Sequence, residues 1–302
     1  MGKLIIYNKG KYLESEHVNK NIRMFEACGA KCEDFWNIPS FKQLWNADIM
    51  YLNWYENIYK GAWPIAVGQY LAKRLVLRIA KMRGVKIFSS QHNRVVHDPM
   101  YPRLCNSIFK KIYKMSDRII IFSESGKKDL ELYLTQQEAE DKAYYIPPVN
   151  YIGSYPYMKH DWISAFQTED KMTVMFAGSL NHPYKNVDMV VDIAKELTDK
   201  NIQFVFAGRL KGDEQHKYYN DKIKGCDNIS AEFRYLNDNE MAQILEIADV
   251  VIMPYNVESI SNSGTARMAF SYARTVICPM IPSLENIPLE LIYTYEDGND
   301  RK

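Results

Sequence analysis

No apolar run in the 302-residue chain approaches the 18 or so residues that a membrane-spanning helix requires, and the opening MGKLIIYNKGKYLES holds too short an apolar stretch for a secretory signal. A cytoplasmic protein is therefore expected. Cysteine is scarce: Cys28, Cys32, Cys105, Cys226 and Cys278 are scattered, and the one close pair, CGAKC, lacks the second pair or nearby histidine that would complete a zinc site. All five are expected to be reduced and structural, with no metal bound. A P-loop, a G-x-G-x-x-G turn, a zinc signature and a Ser-His-Asp arrangement are all missing, so kinase, dinucleotide, metalloenzyme and serine-hydrolase readings each lack their necessary part, and no cofactor is expected. Net charge is also small, at +1, but it is unevenly spread: residues 1–150 carry +8 and the remainder −7. A basic amino half points to an anionic surface or acceptor. No RNA- or DNA-binding motif accompanies that charge, so nucleic acid is not an expected partner.

What is present is 47% hydrophobic residues, enough for two domains that each bury a core. Short β-rich runs alternate with longer helical ones, which predicts parallel sheets covered by helices on both faces. In the first half, KLIIYN, DIMYLNW, VKIFSSQHN, RIIIFSE and AYYIPP read as strands. HVNKNIRMFEACGA, PIAVGQYLAKRLVLRIAKMRG, PRLCNSIFKKIYKMSD and SGKKDLELYL read as the helices between them. The grammar restarts with MTVMFAGS, NVDMVVDIAKELTD and IQFVFAGRL and runs on to TVICPM. Domains are expected at 1–150 and 171–302, joined by a linker at 151–170 that is rich in turn formers. The closing LIYTYEDGNDRK reads as a last strand without the helix that would cover its sheet. Two α/β units in tandem would face each other across a cleft at the carboxyl ends of their strands, where such folds bind ligands.

Three turns in the second half share one design. FAGSLNHPYKN is a strand emptying into a glycine turn, with Gly178, Ser179 and then Lys185 ahead of a helix; FAGRL repeats it with Gly208 and Arg209. PYNVESISNSGTARMAF places Ser261, Ser263, Gly264 and Thr265 where another helix begins. Glycine lets backbone amides approach a ligand closely, a helix amino end favours an anion, and Lys or Arg adds charge. Together they predict a phosphate-bearing ligand.

These segments, with LNDNEMAQILEIADVVIMPY, follow the order and spacing of the donor domain of GT-B glycosyltransferases. In the first half YLNWYEN is similar to the HLHWPE segment of bacterial exopolysaccharide glycosyltransferases, and QHNRVVHDPMYPRLCNSIFKKIYKMSDRIIIFSE resembles their VHNxxPHE…LYRLADRVIVHS segment. The resemblance spans nearly the whole chain. It implies two Rossmann-like doubly wound domains and a nucleotide-diphosphate sugar lying against the second, with the base contacted near RYLND. It further implies a hexosyl group passed to a glycan acceptor, lipid-linked, in cell-surface polysaccharide assembly. Gly178, Ser179, Lys185, Arg209, Glu258, Ser261, Ser263, Gly264 and Thr265 become donor-binding candidates, with Arg267 beside them. Many retaining members carry a Glu-x7-Glu pair. Aligning on Ser263-Gly264 puts Ile260 and Met268 at those positions, with only Glu258 nearby.

An inverting transferase needs a general base at the acceptor hydroxyl. QHNRVVHDP offers His92, His97 and Asp98 after a predicted strand, and NWYEN offers Glu56. Asp98 is the first candidate for the base and His97 the second, with Glu56 orienting the acceptor and His92 and Asn93 lining its side. The helix at 63–83 combines Trp63 and Tyr70 with Lys73, Arg74, Arg78, Lys81 and Arg83, a composition suited to lying on an anionic bilayer, which would make the enzyme peripheral to the inner face of the membrane. The alternatives are a nucleotide-sugar epimerase of similar shape and a nucleotide-sugar-binding protein that has lost catalysis.

Overall fold

A computed structural model describes residues 2–9, 16–58, 61–96, 99–156, 158–168, 170–257, 260 and 262–295. The chain divides into two compact units, Met1–Val149 and Asn150–Lys302.

The first unit alternates β1 (Leu4–Asn8), α1 (Glu16–Ala27), β2 (Lys31–Phe35), α2 (Phe41–Asn46), β3 (Ile49–Leu52), α3 (Trp63–Met82), β4 (Lys86–Ser90), α4 (Pro102–Met115), β5 (Arg118–Ile121), α5 (Gly126–Leu130), α6 (Gln136–Lys142) and β6 (Ala143–Tyr145). The six strands lie in the order β2-β1-β3-β4-β5-β6 and pair in parallel throughout. The step from β1 to β2 runs one way and every later step runs the other. Right-handed crossovers therefore send α1 to one face and α2 to α6 to the opposite face. The cores agree: Val18 of α1 packs with Tyr7, Tyr51 and Phe122, while Leu44, Leu77, Ile108 and Leu130 from the other helices pack with Ile6, Met50 and Ile119. The reversal of direction between β1 and β3 opens a crevice at the carboxyl ends of these strands.

Local chemistry sets the helix limits. Ser40 and Gln43 form a capping box on α2, and Thr135 and Glu138 form one on α6. Proline occupies the first turns of α3 and α4, where a missing N–H costs nothing. Gly84 takes φ +76 to end α3, a conformation that a side chain would oppose. One expectation for α3 fails. Lys73, placed among the outward basic residues by composition, is 1% exposed, and its Nζ donates to Tyr55 O at 2.8 Å and Asn57 O at 2.6 Å.

In the second unit α7 (Asp161–Ser164) precedes β7 (Met172–Ser179), α8 (Val187–Glu196), β8 (Ile202–Arg209), α9 (Gly212–Ile223), β9 (Ile229–Glu232), α10 (Asp238–Ile247), β10 (Val250–Ile252), α11 (Gly264–Ser271), β11 (Thr275–Pro279) and β12 (Ile292–Tyr295). The order is β12-β11-β10-β7-β8-β9, again parallel. Val190, Val191 and Tyr219 from α8 and α9 fill one face, and Ile244, Leu245, Ala266 and Ala269 from α10 and α11 fill the other.

The segment at 151–170, expected as the linker, is hydrogen-bonded to this unit. Tyr151 N donates to Ser271 Oγ at 2.9 Å, His160 N donates to Gln243 Oε1 at 2.6 Å, and Ile163 is fully buried in the core. Turn-rich composition marked its irregular backbone, but apolar anchors and backbone hydrogen bonds decide what it joins.

Candidate functional site

At the carboxyl edge of the second sheet, the register sets Gly178 beside Gly208 and Ser179 beside Arg209. A Cβ on Gly208, which sits at φ +154, would lie 1.7 Å from Gly178 O, so only glycine allows these two strand ends to run so close. A Cβ on Gly178 would come within 3.7 Å of Thr265 Oγ1, which brings the start of α11 onto the same edge. Ser263 caps that helix: its Oγ accepts from Ala266 N at 3.0 Å. Arg267 Nε donates back to Ser263 O at 3.3 Å, so this cation is turned onto the cap. Ser179 and Arg209 are exposed, and so is Gly264.

Lys185 lies deeper than the sequence implied. It is buried, its Nζ donates to Tyr255 Oη at 3.1 Å, and it sits 4.5 Å from the centre of the Tyr255 ring. Tyr255 Oη in turn lies 3.0 Å from Ser263 Oγ. One chain of contacts thus runs from the lysine to the first N–H groups of α11. Burial opposes the Lys185 charge, but the Tyr255 and Tyr184 hydroxyls outweigh it and hold the ammonium above the usual lysine range. The loop carrying Lys185 is tied down by Asn186, at φ +49, whose Nδ2 donates to Pro254 O at 2.7 Å. A positive side chain, a helix amino end and two close-packed glycines therefore share one edge, an arrangement suited to a diphosphate. Ile260 is buried and Met268 packs against the core, so neither Glu-x7-Glu position presents a carboxylate. Glu258 and Ser261 lie outside the described residues.

The first sheet's carboxyl edge is built differently. His92 Nε2 is 2.9 Å from Asn53 Oδ1, and the imidazole stacks on Trp54 with centroids 3.9 Å apart. His17 meets His92 edge-on at 5.4 Å, and Asn21 Nδ2 lies 3.2 Å from His17 Nε2. Trp54 adopts φ +47, a left-handed conformation that costs a bulky residue on the order of 1–3 kcal/mol and that clusters at functional sites. His92 is buried and Asn93 is half-buried. His97 and Asp98 lie outside the described residues.

Glu56 does not join this cluster. It is buried beside Lys73 of α3 and Cys105 of α4. Burial pushes its carboxyl up to about 7, against the pull of its own backbone N–H and of Lys73. Its burial follows from its neighbours, since Tyr55 and Ile58 on either side enter the core with residues of α3 and α4. Residue types alone did not single out Trp54, His17 or Tyr255. The spacing of His17 and Asn21, one helical turn apart on the face that carries Val18, was the available signal for that pair. Among the described residues no group of three His, Cys, Asp or Glu side chains could hold a metal ion.

Two parallel six-stranded α/β units with these sheet orders have the architecture of the GT-B glycosyltransferases. A glycosyltransferase from Rickettsia africae superposes with a TM-score of 0.67 at 14% identity, covering 99% of this chain and 85% of that one. The Anabaena protein HepE, crystallised with UDP, gives 0.65 at 12%, covering 99% and 86%. Residues 171–286, within the carboxyl-terminal unit, match the family described as Glycosyl transferases group 1. The GDP-mannose:glycolipid 4-beta-D-mannosyltransferase of Xanthomonas campestris is 26% identical over 149 residues. That match covers 46% of this chain and 41% of the relative, so the chain aligns with less than half of that enzyme's length.

Proposed function

We propose that the protein transfers a glycosyl group from a nucleotide-diphosphate sugar to a glycan acceptor carried on a lipid, in the assembly of a cell-surface polysaccharide. The observation that carries this reading is the convergence of Gly178, Gly208, Lys185 and the amino end of α11 on one sheet edge, within the segment that matches the Glycosyl transferases group 1 family. The donor diphosphate would lie across that edge, with Arg209 reaching it from solvent and Lys185 reinforcing the positive field from beneath. In the reaction, the acceptor oxygen bonds to the anomeric carbon as the bond from that carbon to the diphosphate oxygen breaks. The nucleoside diphosphate leaves with the electron pair, and the acceptor proton passes to a base.

Inversion by direct displacement is favoured by Ile260 and Met268, which supply no carboxylate at the positions retaining relatives use. Asp98 is the base in this reading and His97 the reserve. The cations and helix amino end carry the leaving group's charge, so the reading needs no divalent ion. The likeness to a glycolipid mannosyltransferase supports a lipid-linked acceptor, and HepE crystallised with UDP supports a nucleotide donor.

The test incubates the protein with candidate nucleotide sugars, with and without lipid-linked acceptor and with a chelator, and follows nucleoside diphosphate release and product configuration by NMR. Acceptor-dependent release, unchanged by the chelator and with inverted configuration, is expected. Release without an acceptor would remove the transferase reading, and a retained configuration would remove the inverting mechanism.

A further inference from the structure

The outer surface of α3 is apolar where a solvated helix would be polar. Leu71, Leu75 and Met82 recur at helical spacing on its exposed side and are 56%, 56% and 86% accessible. Trp63, 57% exposed, stands at its start. The stripe continues onto α2, where Phe41 and Trp45 are 70% and 50% exposed and lie 5.3 Å apart. The Arg83 guanidinium rests 3.6 Å over the Trp45 ring and joins the two helices. On its other flank α3 packs against α4, with Tyr70 Oη 2.8 Å from Ser107 Oγ. The exposed side of α4 carries Arg103, Lys110 and Lys114, and neither α3 nor α4 contains a single Asp or Glu. Among the described residues no ion pair engages Arg78, Arg103, Lys110 or Lys114.

We infer that this face of the first unit, α2 to α4, docks on an anionic lipid bilayer. Its apolar stripe would enter the headgroup boundary while its arginines and lysines meet the lipid charge. Charge complementarity selects this occupant. A second copy of the chain would set an acid-free basic face against itself in a two-fold pair. Nucleic acid would use the cations but leave Leu71, Leu75 and Met82 without partners. Among the described residues no helix is long and apolar enough to cross a membrane, so the contact is one of lying on the surface. Lys73 takes no part, since it is enclosed beneath α3. This inference stands on the helical layer alone and does not depend on the reaction proposed above.

Co-sedimentation with phosphatidylglycerol–phosphatidylcholine vesicles, against phosphatidylcholine alone, tests it. Wild type should pellet with the anionic vesicles only, and less so in high salt. Arg78→Glu with Lys110→Glu and Lys114→Glu should reduce partitioning at least about ten-fold, as should Leu71→Ser with Leu75→Ser, both with unchanged circular dichroism and Tm. Three results would overturn the inference: wild type staying in the supernatant, equal pelleting of wild type and the charge-reversed variant, or a wild-type dimer in analytical ultracentrifugation that Leu71→Ser with Leu75→Ser dissolves. Should either variant fold poorly, tryptophan fluorescence of the wild type against Trp45→Phe with Trp63→Phe decides: a blue shift with anionic vesicles that the double variant lacks supports docking, and an unchanged wild-type spectrum refutes it.

Discussion

Lys73 and Lys185 are both buried lysines, one in each unit, and their surroundings move them in opposite directions. Around Lys73, burial dominates and lowers the ammonium to about 8, although Glu56 opposes the shift. Around Lys185 the phenol oxygens of Tyr255 and Tyr184 prevail over burial and raise it. The geometry separates them further. Lys73 is bound by two backbone carbonyls of the turn after β3, so its charge closes a loop and faces no ligand. Lys185 is wired through Tyr255 to Ser263 at a helix amino end, and its charge adds to a field that opens on the sheet edge. Burial alone therefore does not reveal what a charged side chain is for; the acceptors that meet it do.

The comparison breaks first on stability. Lys73→Ala removes a buried cation, leaves the Tyr55 and Asn57 carbonyls without that donor, and strips Glu56 of its counter-charge, a loss of about 3–5 kcal/mol. Urea denaturation should show that loss, while calorimetry finds nucleoside diphosphate affinity unchanged in the folded protein. A stable variant with weakened affinity would mean that Lys73 belongs to the ligand site instead.

The second way to divide the pair is by binding. Lys185→Ala should weaken nucleoside diphosphate binding by about 1.5–3 kcal/mol, ten-fold or more. Arg209→Ala should cost less and should lose its effect in high salt, because Arg209 is exposed and screened. Calorimetry on both variants at two salt concentrations checks the order, and an Arg209 loss exceeding that of Lys185 would assign the main charge to the exposed residue.

Much of the frame could be read from residues because the strands that carry it are buried and apolar. LIIYN, MTVMFAGS and IQFVFAGR are predominantly hydrophobic runs, and the glycines of the last two announce the edge at which Gly178 and Gly208 meet. What escaped reading is what the interior does not fix. β2, KCEDF, is an edge strand with charged residues on its outer positions, and α9, GDEQHKYYNDKI, buries only Tyr219. That helix is held instead by Tyr218, Tyr219 and Lys222 converging on Asp188, a long-range pattern that no local period displays. The same limit applies to the sites. The positive turn at 178–185 was legible because glycine and lysine follow a strand directly. The inward path of Glu56 and the left-handed Trp54 depend on how α3 and α4 close over the turn, and composition is silent on that.

Titration separates the two units by a smaller effect. Glu56 has an ordinary value of 4.5 and is pushed up to about 7 in the fold. Between those values the folded protein keeps a proton that the unfolded chain has released, so stability falls as pH rises through the window, at up to roughly 1.4 kcal/mol per pH unit. Lys185 has the reverse placement: with its folded value raised, its stabilisation is intact below the ordinary lysine range and is lost only when the pH climbs above it. The first unit should therefore show its pH dependence on the acid side of neutrality, where Lys185 is silent. Replacing Glu56 by Gln keeps the shape and removes the titration, so urea denaturation at pH 5, 6 and 7 should give a declining profile for wild type and a flatter one for Glu56→Gln, with nucleoside diphosphate affinity equal in both. Parallel profiles would show that the Glu56 carboxyl titrates alike in the folded and unfolded chain, and that its burial beside Lys73 is fully compensated by the pair.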